Sequence, residues 1–148
     1  MLTTETGGPG VDLYLVDARG VAVPAFPDTG PRMDQVHQYL PGDPRTVCAA
    51  AGLGHASTPP PPTHQEDNEA DDVYTARATE RLRAATGTGI ALHKLTGSDP
   101  GGWWVTATEC AQALNGWAEA GSPALPGDLA QFLARAAAGG GFRVWQAY

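Results

Sequence analysis

Cysteine and histidine are the side chains here best suited to metal binding or nucleophilic attack, and the chain has two cysteines and four histidines. Cys48, His55 and His64, followed by Glu66 and Asp67, form the one stretch dense in ligand types, since thiolate, imidazole and carboxylate are the donors transition metals take. Their spacing matches no compact zinc signature, and a Pro-rich segment holds ligand geometry only with further hydrogen bonds to orient it. Solvated loop residues are expected here, with no metal and no cofactor.

A nucleophilic cysteine needs a histidine base beside it, which would bring Cys110 or Cys48 to His93 or His37. Cys110, however, falls on the apolar face of an amphipathic helix, where a free cysteine packs as a small hydrophobe, and Cys48 sits in an Ala-rich turn. Catalytic residues are therefore left unassigned. No GxGxxG, P-loop, HExxH or GxSxG pattern occurs. Gly139, Gly140 and Gly141 follow a helical stretch, so they end a helix and do not cradle phosphate at the start of one.

Trp103 and Trp104 are adjacent in a short strand candidate, and strand periodicity points them to opposite faces. Either both are covered, or one is buried and the other is an aromatic anchor of the kind enriched at binding sites. With His93 and Asp99, which flank them, they form the candidate partner-binding set.

These residues need elements to hold them. Val11 to Val16 reads as a strand, Asp17-Ala18-Arg19-Gly20 as a turn, and Val21 to Phe26 as a second strand in a hairpin, with Pro24 confining it to a sheet edge. Met33, Val36, His37 and Leu40 have helical spacing. A helix over 44–51 has Asp43 as its cap, Pro44 at its first position and Gly52 after its end. An apolar stripe of Val73, Tyr74, Ala78, Leu82 and Ala85, acidic at its start, predicts the next helix, with Arg77, Arg81 and Arg83 on a solvated face. Residues 90–95 alternate as a strand that would form a hairpin with Trp103-Trp104-Val105. Thr106 and Glu109 have capping-box spacing before a helix that buries Cys110, Ala111, Leu114, Trp117 and Ala118. A last helix over 128–138 carries Leu129, Phe132, Leu133 and Ala136 inward, and 142–148 forms a terminal strand. The expected fold is α+β, a mainly antiparallel sheet with three to five short helices.

Pro59 to Pro62 and the acids at 66, 67, 69, 71 and 72 interrupt this pattern. The organisation expected is an amino-terminal hairpin with short helices over 1–56, a Pro-rich acidic loop or linker over 57–70, and a helix-hairpin-helix-helix-strand unit over 71–148 that packs with 1–56. Rapid proteolytic nicking is expected in that loop.

Nine Lys and Arg against 16 Asp and Glu give a net charge of −7, which argues against nucleic acid as the main partner, since that binding draws on clustered cations. Two distant cysteines fit a reducing compartment. Residues 1–10 lack a signal-peptide pattern, and no apolar run approaches the ~18 residues of a membrane span, so a cytoplasmic protein without membrane contact is expected.

Gly89 to Leu95, Gly102-Trp103-Trp104-Val105-Thr106 with Glu109-Cys110, and Gly140 to Val144 together resemble uncharacterised small proteins of GC-rich bacteria and their phages. That resemblance covers the carboxy-terminal half and implies a recurring fold unit without an assigned activity. The sequence reading is a non-enzymatic protein-binding accessory or inhibitor module, of phage or mobile-element origin, whose partner is another protein or a further copy of itself. Its alternatives are a structural subunit of a virion or similar assembly, and a small enzyme with a site near His93 and Cys110.

Overall fold

Alternation in Val11–Leu15 puts Val11, Leu13 and Leu15 on one face and Asp12 and Tyr14 on the other, as a half-buried strand requires. In the computed structural model, which describes residues 10–26, 31–96, 99 and 101–146, this segment is strand β1. It lies inside a four-stranded antiparallel sheet of order β2-β1-β6-β5, with β2 (His37–Leu40), β5 (Trp103–Val105) and β6 (Phe142–Gln146). A two-stranded parallel sheet pairs β3 (Gly54–His55) with β4 (Ile90–Ala91). The described residues form five α-helices: α1 (Met33–Val36), α2 (Pro44–Ala50), α3 (Asp71–Arg83), α4 (Ala107–Glu119) and α5 (Leu129–Ala138). The fold is α+β with a mainly antiparallel sheet. No helix among the described residues is long and apolar enough to cross a membrane.

The core lies between the inner face of the four-stranded sheet and helices α2, α4 and α5. Leu13, Val105, Phe142 and Val144 face Phe132, Leu133 and Ala136 of α5, and the Phe132 and Phe142 rings sit 5.4 Å apart in a tilted pair. On α4 the buried residues are Glu109, Cys110 and Ala113, with Leu114 and Trp117 partly covered; Ala111 and Ala118, expected inside, are exposed. Burying Glu109 turns the helix away from the face its apolar residues alone define. The caps follow the sequence closely: Asp43 accepts from the Arg45 amide, Gly52 takes φ +79 after α2, and Thr106 and Glu109 close a capping box on α4.

Three predicted elements are different in the structure. The turn after β1 forms, with the Asp17 carboxylate accepting the Arg19 and Val21 amides, but residues 21–26 make only a bridge at Val16 and Ala22. Both edges of β1 are already taken, by β2 and β6, so the returning segment has no ladder to join. The expected helix over 33–40 stops at Val36, and His37–Leu40 becomes β2, because pairing with β1 outweighs a helical spacing that four residues specify weakly. The strand expected over 90–95 ends at Ala91 and coils into a 3₁₀ turn, Leu92–Thr96, that buries His93, Lys94 and Leu95 in succession. A strand cannot place three consecutive side chains on one face. The hairpin expected between 90–95 and 103–105 is therefore absent: β4 pairs with β3, and β5 with β6.

Residues 57–70 contain no helix or strand, yet α3 holds them along its length. Arg81 donates to the Pro60 and Pro61 carbonyls, Tyr74 to Thr63, and Arg77 to the His64 carbonyl and in a bidentate pair to Glu69 at 2.6 and 2.7 Å. That guanidinium and the Glu66 amide lower the Glu69 carboxyl to about 2. Residues 147–148 of the expected terminal strand lie outside the described residues.

Candidate functional site

Trp103 and Trp104 do face opposite sides of β5, and both are covered, at 3 and 5% exposure. β5 is an edge strand beside α3, so two arginines of that helix straddle it. The Arg81 guanidinium lies 4.7 Å from the Trp103 ring and Arg83 5.3 Å from Trp104, with Arg143 of β6 on Trp104 at 5.1 Å. The Trp104 indole N–H donates to the Gly140 carbonyl at 2.8 Å. Arg81 also pairs with Asp99, so Asp99 positions the cation over Trp103. Arg81, expected on a solvated face, has a side chain only 13% exposed.

Lys94, expected in an alternating strand, is fully buried and organises this region. Its ammonium donates to the Arg83 and Trp104 carbonyls and to Glu109 at 2.8 Å, tying the end of α3 and strand β5 to α4. Burial pulls the Lys94 ammonium down from its usual value while Glu109 opposes that. Glu109 also accepts the Ala91 and Thr106 amides, so every polar partner of the pair is within the protein.

The outer face of the four-stranded sheet presents two cross-strand rows. Tyr39, Asp12 and Trp145 form one, and His37, Tyr14 and Arg143 the other. The helices pack on the inner face, and this outer set remains part-exposed, with Tyr39 at 48%. His37 is bonded to Asp12 at 2.8 Å, and Tyr14 meets His37 at 4.7 Å and Trp145 edge-on at 5.7 Å. Gly102, with φ +76, leaves room for Trp145: a Cβ there would run into its indole. The sequence reading assigned this face no role, although its signal is the polar-aromatic half of the alternation in β1 and β6.

A cleft of about 570 Å³ opens on another side, between α2 (Arg45, Ala49), the segment 56–59 (Ser57, Pro59), the 3₁₀ turn (Leu92, His93) and Trp103. Ser57 Oγ accepts the His93 backbone N–H at 3.1 Å and lies 2.7 Å from His93 Nδ1. Ser57 Oγ and Nδ1 share one hydrogen bond, and which of them donates depends on the His93 tautomer. His93 meets Trp103 edge-on at 4.7 Å, and both His93 Nε2 and Trp103 Nε1 are buried without a hydrogen-bond partner among the described residues. A buried donor left without a partner, as the Trp103 indole N–H is, costs about 1–3 kcal/mol.

The Ser57–His93 pair lacks the features of a nucleophilic dyad. Among the described residues no carboxylate orients the imidazole, and burial, with the nearby Lys94 and Arg81 charges, holds its basicity below the usual value against the opposing Glu109. The pair acts as a latch joining residues 56–59 to the 3₁₀ turn. Cys110 does not line this cleft, and burial pushes its thiol up, as it pushes Cys48 up to about 12.

The structure thus brings His93 and Trp103 together in one cleft, sets Asp99 behind Trp103 through Arg81, and encloses Trp104 on the opposite face. Among the described residues no group of three or more His, Cys, Asp or Glu side chains is placed to hold a metal ion. No protein-family model, curated protein or solved structure matches the chain.

Proposed function

We propose that the protein is a non-enzymatic protein-binding module that docks a partner protein on the outer face of its four-stranded sheet. The observation that carries this reading is the part-exposed set Tyr14, Tyr39, Trp145 and Arg143 on one sheet face. Trp, Tyr and Arg are the residues that dominate binding energy in protein interfaces. A sheet of aromatic rings also suits base stacking. Here Asp12 sits within the face, Arg143 already donates to the Gly101 and Gly102 carbonyls, and the net charge is −7, all of which favour a protein. The acidic surface would speed encounter with a basic partner.

The test is quantitative capture of one stoichiometric partner by the wild type and by Trp145→Ala and Tyr39→Ala, each checked for an unchanged fold. Either substitution is expected to weaken binding by about 2 kcal/mol or more, roughly 30-fold. Equal affinity in both variants would remove this face from the interface. Sedimentation of the purified protein reports whether the partner is a second copy.

A further inference from the structure

We propose that the cleft between α2, residues 56–59 and the 3₁₀ turn is a binding site for a small carboxylate with an apolar body. This rests on the cleft alone and is independent of the sheet face. Its volume of about 570 Å³ falls within the range of small-molecule sites, roughly 300–1,000 Å³. Leu92, Ala49, Pro59 and Trp103 supply apolar wall, and Arg45, its side chain 54% exposed, supplies a cation.

The polarity of the ligand follows from the orphaned atoms. The Trp103 indole Nε1 is a donor in every state, and His93 Nε2 is a donor in the tautomer whose Nδ1 accepts from Ser57. The buried Trp103 indole donor, without a partner among the described residues, calls for an acceptor, and Arg45 makes an anionic acceptor the best fit. Asp43, which accepts from Arg45 at 3.4 Å and caps α2, sets a negative charge beside it and disfavours a dianion such as phosphate. A monocarboxylate meets both conditions. Neither nitrogen is open to water, so a ligand oxygen reaches the indole N–H when residues 56–59 move outward and the Ser57–His93 bonds open.

The test is titration of the ¹⁵N-labelled full chain with phenylacetate, benzoate and hexanoate, and with phenylacetamide as the neutral control. A saturable shift of the Trp103 indole N–H, identified by its loss in Trp103→Phe, is expected with at least one of the acids, together with a rise in the His93 pKa at saturation. Arg45→Ala, an exposed substitution that leaves the core intact, is expected to weaken that acid about tenfold, and phenylacetamide to bind at least tenfold more weakly than phenylacetate. Absence of any saturable shift at millimolar acid overturns the proposal. Binding that Arg45→Ala leaves unchanged, or that phenylacetamide matches, overturns it equally, whatever the stability of Trp103→Phe.

Discussion

Lys94 and Glu109 form an ion pair sealed from water, so the cost of losing one member exceeds the worth of the pair. Lys94→Met strands the carboxylate and is expected to cost on the order of 3–5 kcal/mol in urea or thermal unfolding. Adding Glu109→Gln should restore part of that, because the unpaired charge is gone and the amide oxygen still accepts one of the two backbone amides, Thr106 or Ala91, that the two carboxylate oxygens share. A double mutant no more stable than Lys94→Met would mean that the charge was not what the site lost. His93 titrates in the opposite direction from a stabilising salt bridge. Its folded value is lowered, first by burial, so below about pH 6.5 the unfolded chain binds a proton that the folded site resists. Its share of stability is whole above that pH and declines as the pH falls through the window beneath. Urea midpoints from about pH 7.5 to about pH 5 should fall less steeply in His93→Gln, and identical slopes would discount the histidine. The Thr106–Glu109 box was legible because capping is local. Glu109's second partner was not, since nothing local in the alternating run 90–95 marks Lys94 for burial.

At the scale of elements, α3 does two tasks through alternate arginines. Arg81 holds both the Pro-rich segment and Trp103, which changes the outcome expected from composition alone. Cleavage by a glutamate-specific protease after Glu66 or Glu69 should be slow in the wild type and about ten- to hundredfold faster in Arg81→Ala, as losing charged hydrogen bonds worth about 1.5–3 kcal/mol requires. Equal cleavage rates would show the loop opening independently of α3. The tryptophans divide by strand: Trp104→Ala removes a covered ring with a bonded indole and should cost on the order of 3–5 kcal/mol, whereas Trp145→Ala, on the part-exposed face, should cost much less. Thermal melts of the two variants decide between them. Helices α2, α3 and α5 were legible from caps and a 3.6-residue stripe. Strand pairing was less so: β1 was visible as a strand, but the sequence between Asp17 and Phe26 does not say that β2 and β6 occupy its edges.

The whole molecule is closed by its two ends. The central pair of the sheet joins Val11–Leu15 to Phe142–Gln146, so the sheet crosses the Pro-rich segment that composition marks as a boundary. Pairing across that distance leaves no local trace, and loop-closure entropy opposes it until the core forms, which favours slow, cooperative folding. A chain cut between Glu66 and Glu69 should therefore stay associated under native conditions, with both pieces eluting together. Residues 71–148 expressed alone would keep α3, α4 and α5 but leave β6 without β1, and Phe142 and Val144 without Leu13 across the sheet and in the core. That fragment is expected to show helical far-ultraviolet dichroism with a poorly dispersed amide spectrum, and mixing with residues 1–70 should restore dispersion. A sharp, native spectrum from 71–148 alone would mean that α4, α5 and the Lys94–Glu109 pair suffice to specify the carboxy-terminal unit, with β1 and β2 added to a structure already formed.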